Sequence, residues 1–185
     1  QVLANQLDEG ARSGGIFIST GRLDVLDSGR VSASAEGFNN SGGTVEIVAV
    51  DSVNVIADPI SNAPAAILAT ADSPGRGGNI SVESGSITIL NGAQLSASLN
   101  GGGTGGSIRI LARDSVTVEG TSDDGSPSQI SAESNLNGGE FGILRSIRAN
   151  SQSIQDVSTV LNGRMFIFSQ ATPSSICSLG SDDIG

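Results

Sequence analysis

Two Asp-Ser pairs in the same local context are the first residues that suggest chemistry. Asp51-Ser52 and Asp114-Ser115 each open the run DSV, 63 residues apart. A serine nucleophile needs a neighbouring base, but the chain has no histidine, and all nine of its basic residues are arginine. We therefore interpret both pairs as corners, where Asp and Ser side chains bond their own backbone and turn the chain.

Carboxylates are the second candidate for chemistry, through glycan cleavage or calcium binding. Glycosidases need two carboxyl groups at short range, and calcium needs six to eight oxygen ligands. Asp123-Asp124, with Asp58 as the matching acid, is the set that we consider for calcium. We interpret these acids as solvated loop residues and predict no catalytic residue, no resident metal and no cofactor, with loose Ca²⁺ binding as the alternative.

An internal repeat sets the elements that must position these residues. Residues 13–34 (SGGIFISTGRLDVLDSGRVSAS) align without a gap on residues 77–98 (GGNISVESGSITILNGAQLSAS). Paired glycines followed by alternating apolar residues occur five times, beginning at 14, 42, 77, 105 and 138. A period of this length is typical of solenoids and repeat arrays.

Each repeat contains three short stretches in which apolar and polar residues alternate, which is the pattern of β-strands. Alanine at the last inward position of four repeats predicts a cramped corner there. In-register stacking would place the outward residues in columns with no two acids on adjacent repeats, which disfavours a cleaving site. The columns are Phe17, Glu46, Ser81, Arg109 and Gly142 on the first strand, Asp24, Asn54, Thr88 and Thr117 on the second, and Ser32, Leu68, Ser96 and Ser131 on the third.

Short and long repeats alternate, because residues 42–76 match 105–137 at an offset of 63. The long repeats carry insert 1 (57–66, ADPISNAPAA) and insert 2 (119–129, EGTSDDGSPSQ), which we interpret as loops leaving one edge. Tolerated loop growth is the competing explanation. If the chain recognises a partner, we expect these loops to do so. The predicted contact residues are Asp58, Asn62, Asp123 and Asp124.

These patterns predict an all-β fold, a parallel β-helix (β-solenoid) of about five coils with three short strands per coil. Residues 1–171 would form this single domain, with coils starting near 14, 42, 77, 105 and 138, and residues 172–185 would form a C-terminal tail. A coil cannot bury its own apolar face, so the neighbouring coils must do so. Exposed sheet edges at the ends of the stack favour end-to-end self-association.

Composition limits the classes of partner. A net charge of −10 and a pI of about 4.2 argue against nucleic acid and against anionic membrane surfaces. Cys177 is the only cysteine, so no internal disulfide can form. No apolar run approaches the length of about 18 residues that a membrane span needs. The polar opening QVLANQLDEG has no signal peptide and suggests a chain cut from a longer one.

The line GGNISVESGSITILNGAQLSAS resembles the repeats of filamentous-haemagglutinin-like exoproteins, especially the large cyanobacterial type. The resemblance covers 13–137 well and 138–170 weakly. It implies a right-handed β-helix that a Gram-negative bacterium exports by two-partner secretion, through a dedicated outer-membrane pore. The Asn-Pro-Asn-Gly motif of that family's secretion domain is absent, so the chain resembles passenger repeats alone.

We therefore expect a structural or adhesive segment of a secreted or surface-displayed exoprotein, a non-catalytic adhesin shaft that presents contact loops. Its expected place is extracellular or on the outer-membrane surface. Expected partners are a host or neighbouring-cell surface, through a glycan or matrix protein, and the secretion pore during export. Two alternatives stay open, namely a polysaccharide-cleaving β-helix enzyme and a subunit of an extracellular filament.

Overall fold

A computed structural model describes residues 1–5, 13–36, 40–60, 63–71, 75–99 and 104–132, together with the strand backbone of 140–144 and 164–168. Every regular element within these ranges is a β-strand. The strands are β1 (Val2–Leu3), β2 (Gly15–Asp27), β3 (Arg30–Ser32), β4 (Thr44–Ala57), β5 (Ala66–Leu68), β6 (Asn79–Leu90), β7 (Gln94–Ser96), β8 (Ser107–Glu119), β9 (Gln129–Ser131), β10 (Glu140–Leu144) and β11 (Arg164–Phe168).

The strands form two sheets in which consecutive repeats lie side by side. One sheet has the order β1-β3-β5-β7-β9, and the other has the order β11-β10-β8-β6-β4-β2. Each neighbouring pair of these strands is parallel. The predicted all-β class is confirmed, and stacked parallel strands in two sheets fit a β-solenoid.

The first and second predicted strands of each repeat are joined into one long strand. β4 covers both stretches, and its pairing with β6 shifts register between Val48 and Ser52. That shift lies where the sequence predicted a corner. A β-bulge bends a strand while the pairing continues on either side of it, so the corner does not need to end the strand.

One aliphatic core runs through the stack, as the inward alternation predicted. Each fully buried side chain of this size contributes about 1.5–3 kcal/mol relative to exposure. Ile18 and Leu23 are only partly buried, because β2 is the last strand of its sheet. The largest fully buried side chains are Ile47, Ile67, Ile80, Ile87, Ile89, Leu95, Ile108, Ile110, Ile130, Val45 and Val53.

The cramped corner predicted from the alanines is a row of backbone contacts, which we call the pinch. It consists of three N–H to carbonyl bonds: Gly43 to Ala33 at 2.7 Å, Gly78 to Ala69 at 2.6 Å and Gly106 to Ala97 at 2.8 Å. The three alanines are fully buried. Glycine is required here because a Cβ on Gly78 would overlap the carbonyl oxygen of Gly43, and a Cβ on Gly106 would overlap that of Gly78.

Beyond the pinch lies a second, smaller apolar cluster. It consists of Ala35, Ala71 and Leu99, which parallel bridges join in a row. The chain then returns to the next long strand through the paired glycines. In the repeats that supply Ala35, Ala71 and Leu99, the pinch lies between the main core and this small cluster.

The predicted third-strand column is correct in register and wrong in exposure. Ser32, Leu68, Ser96 and Ser131 pair in sequence, yet Ser32, Ser96 and Ser131 are only 4%, 8% and 6% exposed. Their hydroxyls take part in side-chain hydrogen bonds, such as Ser32 to Ser34 at 3.0 Å and Ser98 with Ser131 at 2.6 Å. Small hydroxyl side chains can be buried in this way because they satisfy one another.

Several predictions lie outside the described residues. These are Asn62, the paired glycines at 138, Cys177 and the boundary between 171 and 172. The backbone of β10 pairs in parallel with β8 on one side and β11 on the other, so the larger sheet continues past residue 132.

Replacing Gly78 by Ala should destabilise the fold, and the same change at Gly14 should not. The two glycines occupy one column, but Gly14 lies at its end, where a Cβ would meet only Ala4, at ordinary contact distances of 3.5 Å from its Cβ and 3.8 Å from its carbonyl oxygen. We expect Gly78→Ala to lower the free energy of unfolding by about 1–3 kcal/mol, the usual effect of overpacking. Urea denaturation of both variants measures this, and equal losses would contradict the role given to the pinch.

Candidate functional site

The two inserts leave the stack at the same corner, at the ends of the long strands β4 and β8. In the short repeats the same corner is closed by Ser28–Gly29 or by 91–93, between a long and a short strand. The described parts of the inserts are 57–60 and 63–66 in insert 1 and all of insert 2. Their common position was predicted from the sequence.

Insert 2 is bonded to the corner of the short repeat that separates it from insert 1. The N–H of Gly92 donates to Ser128 Oγ at 2.9 Å, and the N–H of Asn91 donates to the carbonyl of Glu119 at 3.1 Å. Gly92 has φ +84°, and a Cβ there would meet Ser122 at 2.9 Å. Glycine at this corner therefore leaves the room that insert 2 occupies.

Insert 2 also reaches insert 1 directly. The N–H of Asp123 donates to the carbonyl of Pro59 at 2.9 Å. The two loops come from repeats that lie two apart in the stack, on either side of β6. They are therefore one joined unit, which the sequence did not indicate because neither loop has a periodic pattern.

The predicted contact acids mainly organise their own loops. Asp58 Oδ1 accepts the N–H of Ile60 at 3.1 Å. Asp124 Oδ1 accepts the hydroxyl of Ser122 at 2.5 Å and the N–H of Ser126 at 2.9 Å. The bond from Ser122, followed by those from Ser126, holds the pKa of Asp124 below its ordinary value. The Asp123 side chain is exposed.

Calcium would need several of these carboxylates to converge. In the ranges given above, no three His, Cys, Asp or Glu side chains lie together in a way that could hold a metal ion. Asp58 and Asp124 instead direct oxygens at N–H and O–H donors of their own loops. Calcium binding therefore has no geometric support from the residues that the structure describes.

One exposed apolar residue in insert 1 was missed by the sequence analysis. Ile60 is 77% exposed, more than Phe17 at 66% or Val50 at 62%. It is the only large aliphatic residue between the end of β4 and the start of β5, and that contrast within a polar loop was the available signal. Ile60 follows Pro59, which bonds insert 2, so it lies beside the junction of the two inserts.

The two Asp-Ser pairs lie at β-bulges, so the structural interpretation holds in position but not in detail. β4 has Val50-Asp51 where β2 has only Gly21, and β8 has Arg113-Asp114 where β6 has only Gly85. Arg113 reaches past the short repeat, and its guanidinium donates to the carbonyl of Val50. The sequence predicted that the Ser52 side chain would bond the backbone of its own turn. Its hydroxyl instead accepts a hydrogen bond from Asn54 Nδ2 at 3.3 Å.

A small polar network lies on the outward face of β2 and β4. Asp24 accepts Arg22 Nε at 2.8 Å and Asn54 Nδ2 at 2.7 Å. The bond from Arg22, followed by that from Asn54, lowers the pKa of Asp24. The network joins neighbours of the predicted second-strand column and presents no unpaired acid.

Comparison with known proteins gives no relative. No protein family, no curated protein and no solved structure matches this chain. Within the residues described, no helix has the length and apolar character to cross a membrane.

Asp124→Asn should loosen insert 2 at neutral pH. The folded-state pKa of Asp124 is lowered, so its stabilising effect is fully present above the ordinary Asp pKa, about 3.9, and is lost as pH falls through the lower folded value. Hydrogen exchange at neutral pH should be faster at the amides of Asp123 and Ser126 in the variant. In the wild type, an acid titration should loosen the loop only when the pH falls below the ordinary pKa of an aspartate.

Asp123→Asn is the matched control, because that neighbouring carboxylate accepts no hydrogen bond within the described part of the chain. It should leave both amides protected. Unchanged exchange in Asp124→Asn, or equal loosening in both variants, would contradict the role given to Asp124.

Proposed function

We propose that this chain is a segment of a non-catalytic β-helical shaft that presents the two inserts as one contact surface. The observation that carries the proposal is the bond from Asp123 N–H to the Pro59 carbonyl at 2.9 Å, which joins the inserts. A surface whose loops are held before binding loses less conformational entropy when a partner binds. The joined inserts therefore suit recognition better than two independent loops would.

The proposed architecture is a right-handed parallel β-helix of about five coils, starting near 14, 42, 77, 105 and 138. In-register parallel pairing from β2 through β8, extended by the backbone of β10 and β11, supports this stacking. The handedness is that of the exoproteins whose repeats this sequence resembles.

The surface chemistry of the joined inserts favours neutral or basic partners. Ile60 offers an exposed apolar side chain, and the acids Asp58, Asp123 and Asp124 lie in the same two loops. The chain carries a net charge of −10, so a polyanion would be repelled at long range. A neutral glycan or a basic patch on a matrix protein fits these constraints.

The two carboxylates with altered pKa values, Asp24 and Asp124, are not suited to act as general acids. A general acid at neutral pH needs a pKa raised toward 7. The pKa values of Asp24 and Asp124 are lowered instead, because each carboxylate accepts several hydrogen bonds. The chain also has no histidine or lysine to act as a base for Ser52 or Ser115.

The resemblance to filamentous-haemagglutinin-like repeats supports a bacterial exoprotein as the parent. In that case the chain crosses a dedicated outer-membrane pore during export and acts outside the cell or on its surface. Its shaft places the inserts at a distance from the cell, where a host surface, a neighbouring cell or a matrix protein can be contacted.

Binding to a defined panel tests the adhesive role. The immobilised chain is offered a neutral polysaccharide, a polygalacturonate and a basic matrix protein, and both retention and polymer length are measured. We expect retention of the neutral polymer or the basic protein, no retention of polygalacturonate, and no shortening of any polymer. Retention of none would contradict adhesion, and shortening would favour the polysaccharide-cleaving alternative.

Ile60→Ser tests whether the inserts make the contact. Removing this apolar side chain should weaken retention about tenfold, which corresponds to about 1.4 kcal/mol. Val50→Ser is the matched control, since Val50 is similarly exposed but lies at the bulge of β4. Equal effects of the two changes would contradict the proposal that the inserts form the contact surface.

Light scattering of the wild-type chain tests the remaining alternative, because a filament subunit would form large assemblies.

A further inference from the structure

The Asn91-Gly92 corner between β6 and β7 holds a chemically reactive dipeptide in a tight turn. The φ angles are 60° at Asn91 and 84° at Gly92, and the N–H of Ala93 donates to the Leu90 carbonyl at 3.2 Å. Two positive φ values and this bond are the features of a type I′ turn, for which Asn-Gly is the preferred sequence. The turn therefore favours Asn-Gly. In this dipeptide the glycine has no side chain to hinder attack by its own backbone nitrogen on the asparagine side chain.

The reaction open to such a dipeptide needs no enzyme. The backbone nitrogen of Gly92 would attack the side-chain carbonyl carbon Cγ of Asn91 and form a ring C–N bond. The C–NH₂ bond would break, and ammonia would leave with the proton from the Gly92 amide. Water would then open the succinimide ring at either carbonyl to give aspartate or isoaspartate. The attacking nitrogen must be free of its hydrogen bond, and the Asn91 side chain must rotate toward it.

Both of these requirements are blocked by the inserts. Gly92 N–H donates to Ser128 Oγ at 2.9 Å, and Ser128 is fully buried. Ser128 is itself fixed because its hydroxyl donates to the Glu119 carbonyl at 2.7 Å. On the other side, Asn91 Nδ2 donates to the Ala57 carbonyl at 3.4 Å. Insert 2 therefore keeps the Gly92 nitrogen in a hydrogen bond, and Ala57, the first residue of insert 1, keeps the Asn91 side-chain amide in another.

We propose that Asn91-Gly92 is a latent site of spontaneous isoaspartate formation, which insert 2 keeps closed through Ser128. The inference does not depend on the contact function, because it assigns insert 2 a protective role within the stack. Isoaspartate would add a backbone carbon and a negative charge at the turn, where Asn91 N–H bonds the next repeat through Glu119. Opening of insert 2 is thereby linked to an irreversible change in the corner beneath it.

Comparison of the native and denatured chain tests the protection without any substitution. Both samples are incubated at mildly alkaline pH, and peptides are analysed by mass spectrometry for aspartate and isoaspartate at position 91. The sequence also contains Asn-Gly at 100–101, 137–138 and 162–163, which serve as references in urea. We expect Asn91 to match the references in urea and to react at least about tenfold more slowly in native buffer, because only locally opened molecules react. Equal native and denatured rates at Asn91 would overturn the proposal.

Ser128→Ala tests whether the Ser128 hydroxyl protects the Gly92 nitrogen. The native rate at Asn91 should rise several-fold, while Ser128→Thr, which keeps the hydroxyl, should restore the low rate. Asp123→Asn is the control in the same insert, because the Asp123 side chain is exposed and accepts no hydrogen bond within the described residues. Urea denaturation checks that the variants keep the stack. A wild-type rate in folded Ser128→Ala would overturn the role of Ser128. If that variant fails to fold, the comparison of native and urea-denatured wild type still tests whether Asn91-Gly92 is protected.

Discussion

The close contact of backbones at the pinch is the constraint on which the rest of the structure depends. The carbonyls of Ala33, Ala69 and Ala97 accept glycine N–H groups at 2.6–2.8 Å. A Cβ on any of these glycines would overlap the carbonyl oxygen of the glycine in the preceding repeat. The same glycines therefore serve two close contacts, one with the alanine carbonyl and one with the backbone of the preceding repeat. The aliphatic core and the small cluster beyond the pinch then fill the two spaces that this contact defines.

The parts of the fold that follow from alternation were predictable, and the parts that depend on tertiary contacts were not. The column Phe17, Glu46, Ser81 and Arg109 was predicted residue by residue, since a period of two determines both face and register. The bulge at Val50-Asp51 was not, because one extra residue leaves the alternation on either side intact. The burial of Ser32 was also missed, because one of its partners, Asn5, comes from a distant segment of the chain.

The candidate site shows the same division. The position of both inserts followed from the alternation of long and short repeats. Their mutual contact, the exposed Ile60 and the inward use of the Asp124 carboxylate did not, because loop residues carry no periodic signal. The short repeat supplies the missing condition: Gly92 leaves space for Ser122, so one loop can pass over it and meet the other.

The alternation of bulges has a consequence for how such a chain can grow. Arg113 reaches Val50 across the intervening repeat, a separation of 63 residues, and the short repeat between them has a single glycine, Gly85, where a Cβ would meet the Arg113 guanidinium at 3.2 Å. Duplicating one repeat would set two bulged strands, or two unbulged ones, against each other and break this fit. A gene duplication that preserves every contact must copy a short and a long repeat together. A stack of this kind should therefore lengthen by two repeats at a time, one short and one long.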